Sequence, residues 1–192
     1  MTAYRKLNSS VVKPNRRYGF KRRCLSLFGR FIFLSVIAIT LILTVGLLYI
    51  YATYPPHASC TIKWTFDSNC TYINYKIANQ IISWNTADCG TGMKCLYSLT
   101  SHNASLILGS HKTPKWHFTD SFYFAFNSDN STCYVEGVSS SDSWFALLDF
   151  GVNYCNLHNI ITGSDIDTLD GYTEFTENSV CTLYTSRNCA KY

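Results

Sequence analysis

No aspartate or glutamate occurs before Asp67, although the 192-residue chain contains 12 of them. Residues 1–30 instead hold nine of the 16 lysines and arginines, so the basic pI of 8.5 describes that end alone. Residues 57–192 carry seven bases against twelve acids, a net charge of −5. A surface of that sign disfavours nucleic acid as a partner. No CxxC pair is present among the nine cysteines, which removes the usual zinc-ribbon spacing. H-E-x-x-H and G-x-S-x-G are missing as well, and with them the signatures of a zinc peptidase helix and a hydrolase nucleophile elbow. There is no internal repeat, and the length fits one domain of ordinary size with appendages.

Charge is also absent from Phe31 to Tyr51, a run that reads FIFLSVIAITLILTVGLLYIY. At 1.5 Å per residue a helix of this length crosses a hydrocarbon core of about 30 Å. Lipid offers no partner to an unpaired backbone group, so a helix is required there. Tyr49, Tyr51 and Tyr54 at its far end suit an interfacial aromatic belt. With nine bases on one flank and none on the other, the positive-inside rule places residues 1–30 in the cytosol and the C-terminal part outside or in a lumen. A cleaved signal peptide would have an apolar core of about 7 to 15 residues ending at a small-x-small site. The exit here is YATYPPHASC, in which neither Ala52 nor Ala58 has a small residue two positions earlier. A buried core helix would set nine bases beside a soluble core. The expectation is an uncleaved type II signal anchor over residues 31–52, in the plasma membrane or a secretory-pathway membrane.

Eight cysteines follow the span: Cys60, Cys70, Cys89, Cys95, Cys133, Cys155, Cys181 and Cys189. An even number in an oxidising compartment reads as four disulfides. The sequence neighbours Cys89 with Cys95 and Cys181 with Cys189 are the first expected pairs. Asn69-Cys-Thr, Asn103-Ala-Ser and Asn130-Ser-Thr are glycosylation sequons in the same part, although a disulfide at Cys70 would compete with use of Asn69. Asn8-Ser-Ser matches too, on the cytosolic side. Cys24, among Lys21, Arg22 and Arg23 shortly before the span, is a palmitoylation candidate beside bases that attract anionic lipid. An unmodified thiol in an orientation-setting charge cluster is the equal alternative.

Residues 1–30, of one charge sign and without amphipathic period, are expected to have no fold of their own. Residues 53–59, with Pro55 and Pro56, read as a stiff spacer. Residues 60–192 then form one disulfide-stapled domain. Ile62, Trp64 and Phe66 alternate as in a half-buried strand, and Ile73, Ile77, Ile81 and Trp84 recur at helical spacing. Glycines 90 and 92 turn the chain between two cysteines. Strands are expected at residues 95–100, 105–110, 118–126, 133–138 and 144–150, with a hairpin loop at 127–131. Residues 153–161 suggest a short helix with Tyr154, Leu157, Ile160 and Ile161 on one side. The tail from residue 171 reads as strand and loop. The fold class is α+β: an antiparallel sheet with a packed helix, following a transmembrane helix.

ADCGTGMKCLYSL at residues 87–99, WFALLDFGVNYCNLHNIITGS at 144–164 and VCTLYTSRNC at 180–189 together resemble a set of small cysteine-rich animal membrane and secreted proteins. The resemblance covers most of residues 70–192 and implies a shared domain. It brings no active site, cofactor or ligand with it.

Asp165-Ile-Asp167 is a D-x-D motif, and in a type II chain it is similar to that of Golgi glycosyltransferases, where it holds the metal and the nucleotide-sugar phosphates. A small domain with an antiparallel sheet does not supply the parallel nucleotide-binding sheet such enzymes need. Asp165, Asp167, Asp170 and Glu177, with Gly171, also follow an EF-hand order with one residue too many before Asp170, which makes them candidate calcium ligands on an otherwise solvated loop. His102, His111 and His117 lack a metal signature, and His158 with Asp149 and a serine lacks a triad signature. All four read better as core or surface histidines. Phe118, Phe122, Phe124 and Phe126 share one face and read as core rather than pocket. The sequence thus points to a non-enzymatic membrane glycoprotein, without cofactor, whose outer domain recognises another protein or a glycan. A lumenal enzyme, marked by a perturbed acid or base in a deep cleft, and a binder of apolar ligands are the alternatives.

Overall fold

The computed structural model describes the backbone of residues 16–191 and the side chains of residues 28–191. It divides into two compact units at Tyr49 and Ile50. The described part of the first is helix α1, Arg16–Thr53, which continues into the first residues of the second. Its Phe28–Thr53 stretch has a mean hydropathy of 2.8, is not buried, and is long and apolar enough to cross a membrane. Residues 16–30, expected to have no fold of their own, continue this helix instead. Once a helical nucleus exists, each further residue adds a hydrogen bond, and Lys, Arg and Leu are good helix formers. Asn8 and the side chain of Cys24 lie outside the described residues, although the Cys24 backbone is part of α1.

The second unit is an α+β domain. Its antiparallel sheet has six strands in the order β2-β3-β4-β5-β1-β6. They are β1 Ser59–Phe66, β2 Tyr97–His102, β3 Leu106–Lys112, β4 Thr119–Asp129, β5 Thr132–Ser141 and β6 Thr173–Phe175. Helices α2, Cys70–Ser83, and α3, Val152–Gly163, pack on one face of the sheet. The expected alternation in β1 is realised, with Ile62, Trp64 and Phe66 buried. Asn69 starts α2 by accepting the Thr71 backbone N–H on Oδ1 at 2.7 Å, satisfying one donor that a helix start leaves free. Ile73, Ile77 and Ile81 then enter one core with Phe122 and Phe124, while Phe126 is partly buried against it. The Trp64 ring lies across β5 only because residue 137 is glycine: a Cβ there would come within 2.6 Å of the ring.

Four further sequence expectations need correction. Residues 144–150 are not a strand. Both sides of β5 are already taken by β4 and β1, so the apolar run that follows cannot pair back on β5, and it turns at once through Ala146 N–H to Ser143 O. Phe118 is exposed rather than sharing the buried face, because His117 before it adopts φ +56° and turns the chain ahead of β4. The spacer is shorter than expected: Ala58 is buried, its N–H donates to Ala146 O at 2.9 Å and its O accepts from Ser141 N–H at 3.0 Å. Finally, Cys181 does not pair with Cys189. It forms an isolated bridge opposite Cys60, and the disulfides are Cys60–Cys181, Cys70–Cys133, Cys89–Cys95 and Cys155–Cys189.

Candidate functional site

Two loops meet where β4 begins and β5 ends, joined by Asp142 N–H to Thr119 O at 2.9 Å. Between residues 113–118 and 143–152, with residues 91–93 alongside, lies an open cleft of about 840 Å³. Trp116, Phe118, Phe145, Leu147 and Leu148 supply apolar walls. Asp120, which is buried, and Asp149, which is half-buried, border it from within, while Lys115 and Lys191 are exposed at its edge.

Local hydrogen bonds hold both loops. Thr113 accepts Phe118 N–H on Oγ1 at 2.9 Å and His117 N–H on its carbonyl at 2.9 Å. In the other loop the Asp149 carboxylate accepts three donors at the start of α3: Gly151 N–H, Asn153 N–H and Asn153 Nδ2, at 3.1, 2.7 and 2.8 Å. Phe150 (φ +55°) and His117 are held in the left-handed region, where a bulky side chain is disfavoured. Such strain concentrates at functional sites when the surroundings enforce it.

Behind the acids runs a buried polar chain that the sequence reading missed. Asn156 Nδ2 donates to Asp120 Oδ2 at 2.7 Å, Ser139 Oγ donates to Asn153 Oδ1 at 2.6 Å, and Tyr97 OH donates to Asn156 O at 3.2 Å. Asn153, Asn156 and Asn159 are all buried. Their spacing of three on an apolar helix was the available signal, since buried amides demand partners. Burial pushes the Asp149 carboxyl up; the donors of Asn153 and Gly151 oppose this, and the charge of Asp120 adds to it. Burial lowers the basicity of His111 against the pull of Asp120. His111 stacks on Tyr97 with ring centroids 4.2 Å apart.

A second polar cluster centres on Glu174 of β6. Its Oε2 accepts from Trp64 Nε1 at 2.9 Å and Tyr172 OH at 3.2 Å and pairs with His158 Nδ1 at 2.9 Å, while Oε1 accepts from Tyr154 OH at 2.6 Å. Burial alone would raise the Glu174 pKa, but hydrogen bonds from His158, Tyr154 and Trp64 and the nearby His158 charge outweigh it and hold the group at about 2. Arg187 sits 3.9 Å over the Tyr184 ring and 4.9 Å over the Tyr154 ring. The cluster pins α3, β1, β6 and the C-terminal tail together. Tyr154 and Tyr172 are both raised, by burial and by Glu174, which makes them poorer nucleophiles.

The other sequence candidates are dispersed. His158 is bonded to Glu174 and Tyr154, while Asp149 caps the start of α3, so the two do not form a dyad. His102 pairs with Asn74 at 2.6 Å, and His117 is exposed. The calcium order is broken up: Asp165 precedes and Asp167 lies within the 3₁₀ turn Ile166–Thr168, and β6 separates Asp170 from Glu177, which accepts from Ser179 Oγ. A backbone in turn and strand cannot wrap a cation as a loop between two helices does. Among the described residues no group of three His, Cys, Asp or Glu side chains is arranged to hold a metal ion. The sheet is antiparallel throughout and provides no parallel nucleotide site for Asp165-Ile-Asp167. Asn69, Asn103 and Asn130 are all exposed. Compared with family models, with curated proteins and with solved structures, the chain finds no match.

Proposed function

We propose that the chain is a single-pass membrane glycoprotein with its N-terminus in the cytosol, anchored by α1, and that its outer domain is a recognition module for an amphipathic ligand bound in the cleft. The length and apolarity of Phe28–Thr53, the one-sided bases and the four disulfides support the topology. The cleft carries the ligand assignment. Its roughly 840 Å³ lies within the ~300–1,000 Å³ of small-ligand sites, and apolar walls with a few convergent polar groups are what such sites present. A glycan partner is served less well, because most of the surface lining the cleft is apolar. Asp120 and Asp149 are the carboxyl groups among its polar lining, and carboxylates accept hydrogen bonds, so a ligand with a donor such as an amine at the end of an apolar body is matched there.

The test uses the full chain in detergent with two photoactivatable long-chain probes identical except for the end group, one an amine and one a carboxylate. The amine probe should label residues of the cleft and be displaced by its unlabelled form. Ala146→Trp, which fills the cleft, should abolish labelling. Equal labelling by both probes would refute the donor-end assignment, and no cleft labelling by either would refute the cleft.

A further inference from the structure

We infer that the rim of this cleft is seated in the headgroup region of the bilayer that α1 spans, an inference that rests on the anchor reading above. Trp144 is 87% exposed and Trp116 69%. Phe145, Leu147 and Phe150 beside them are more than half exposed too. An apolar patch on this scale marks an interaction surface. What covers it follows from the tether. Ala58 is hydrogen-bonded to Ala146 within this loop, and α1 ends at Thr53. Five residues extend at most about 18 Å, so in every copy of the chain Ala58, and with it the Ala146 loop it is bonded to, is tethered close to the last residue of α1. A bilayer spanned by α1 is thus always in reach of this loop.

Two further observations agree. Residues 112–118, KTPKWHF, contain two lysines and no acid in a domain that is acidic as a whole, and Lys115 Nζ lies 5.5 Å from the Trp116 ring. Tryptophan with lysine is the combination that settles at a membrane interface, the ring among the headgroups and the ammonium in water. The sequons report the other end. In the sheet register Ser59 is opposite Ser140 and Phe66 opposite Cys133, Tyr97 is opposite His111, and His111 is opposite Asp120. The end with Ser59, Tyr97, Asp120 and Ser141 carries the rim. Asn69 follows Phe66, Asn103 follows His102 and Asn130 follows Asp129, so all three sequons sit at the opposite end. Hydrophilic glycans would crowd a bilayer at the rim end and are clear of it at theirs.

The chain supplies its own reporter. All four tryptophans lie beyond α1, so quenching of tryptophan fluorescence by lipid reads the outer domain alone. The full chain is reconstituted in phosphatidylcholine vesicles, with or without bromine at carbons 6 and 7 of an acyl chain, and bilayer insertion is scored by resistance to alkaline carbonate. Brominated vesicles should quench the wild type, and the Trp116→Phe/Trp144→Phe double variant should lose most of that quenching while keeping its four disulfides. Both sites are exposed, so the substitutions leave the core untouched. Phe145→Asp with Leu147→Asp should weaken quenching of the remaining rim tryptophans by lifting them out of the lipid. An inserted chain without quenching overturns the rim contact and leaves the anchor standing, even if the face then proves to be covered by a second copy. Quenching that survives in the double variant also overturns it. A chain stripped by carbonate overturns both readings.

Discussion

Single residues in this domain carry energies large enough to test one at a time. Glu174 is held at about 2, below the ordinary carboxylate value, after hydrogen bonds from His158, Tyr154 and Trp64 have overcome the opposing effect of burial. Because the folded pKa is the lower one, the unfolded chain takes up the proton first as pH falls. The stability contributed by Glu174 is therefore fully present above the unfolded value of about 4.3 and is lost as pH drops towards 2. Glu174→Gln should cost about 2 kcal/mol at neutral pH, the scale of hydrogen bonds to a charged group. It should also flatten stability between pH 4.3 and 2, as followed by denaturant unfolding at a series of pH values. An unchanged acid limb would place the titrating group elsewhere. In the core, Phe124 is fully buried, with its ring 5.9 Å from both Trp64 and Phe122. Phe124→Ala should cost about 3 to 5 kcal/mol through the cavity it leaves, a large part of the 5 to 15 kcal/mol typical of a domain. The measurement is the denaturation midpoint.

Elements are held by links of very different reach. Cys60–Cys181 closes a separation of 121 residues, whereas Cys89–Cys95 closes six. If disulfides act by restricting the unfolded chain, the first contributes about 5 kcal/mol and the second roughly half of that. Replacing both members of Cys60–Cys181 by serine should thus lower stability more than the same change at Cys89–Cys95, and equal losses would count against a chain-entropy origin. The long link was hidden in the sequence, while the short one was legible. Proximity along the chain marks a small closed loop such as 89–95, but Cys181 meets Cys60 only because Thr61 N–H bonds to Val180 O and Thr182 N–H bonds to Ser59 O, a pairing that exists once the sheet does. The same division runs through the rest of the fold. Alternation in β1 and the isoleucine stripe of α2 are local patterns read against one face, and both were legible. Residues 144–150 have the composition of a strand, yet whether they pair depends on whether a neighbour has a free edge. The cleft was illegible for that reason: its two walls are loops some 30 residues apart in sequence, and the acid bordering it, Asp120, looks like an ordinary strand residue until Asn156 is found beside it.

At the scale of the whole molecule, the proposed crossing of a membrane by α1 makes orientation decide what the sequons and disulfides can be. Asn103 accepts Ser105 N–H and Leu106 N–H on Oδ1, each at 2.9 Å, which fixes its turn while the residue stays exposed. Asn130 sits at the tip of the β4–β5 hairpin with φ +52°, again exposed. Asn69 is different: it caps α2, and the next residue is bonded to Cys133, so a transferase has access only before that disulfide closes. With the C-terminal domain in the lumen, Asn103 and Asn130 should each carry a glycan and Asn69 little or none. Gel mobility should rise in one step with Asn103→Gln, in a second with Asn130→Gln added, and change no further on glycosidase treatment of the double variant. The opposite orientation puts all three sequons in the cytosol, where wild type and double variant would differ only by two methylene groups and migrate alike, insensitive to glycosidase. It would also place eight cysteines in a reducing compartment, where alkylation without reductant would label most of them, whereas the lumenal arrangement leaves Cys24 as the one reactive thiol. Agreement of the glycan steps with the alkylation count is therefore the decisive result, because each reports the compartment through a different chemistry.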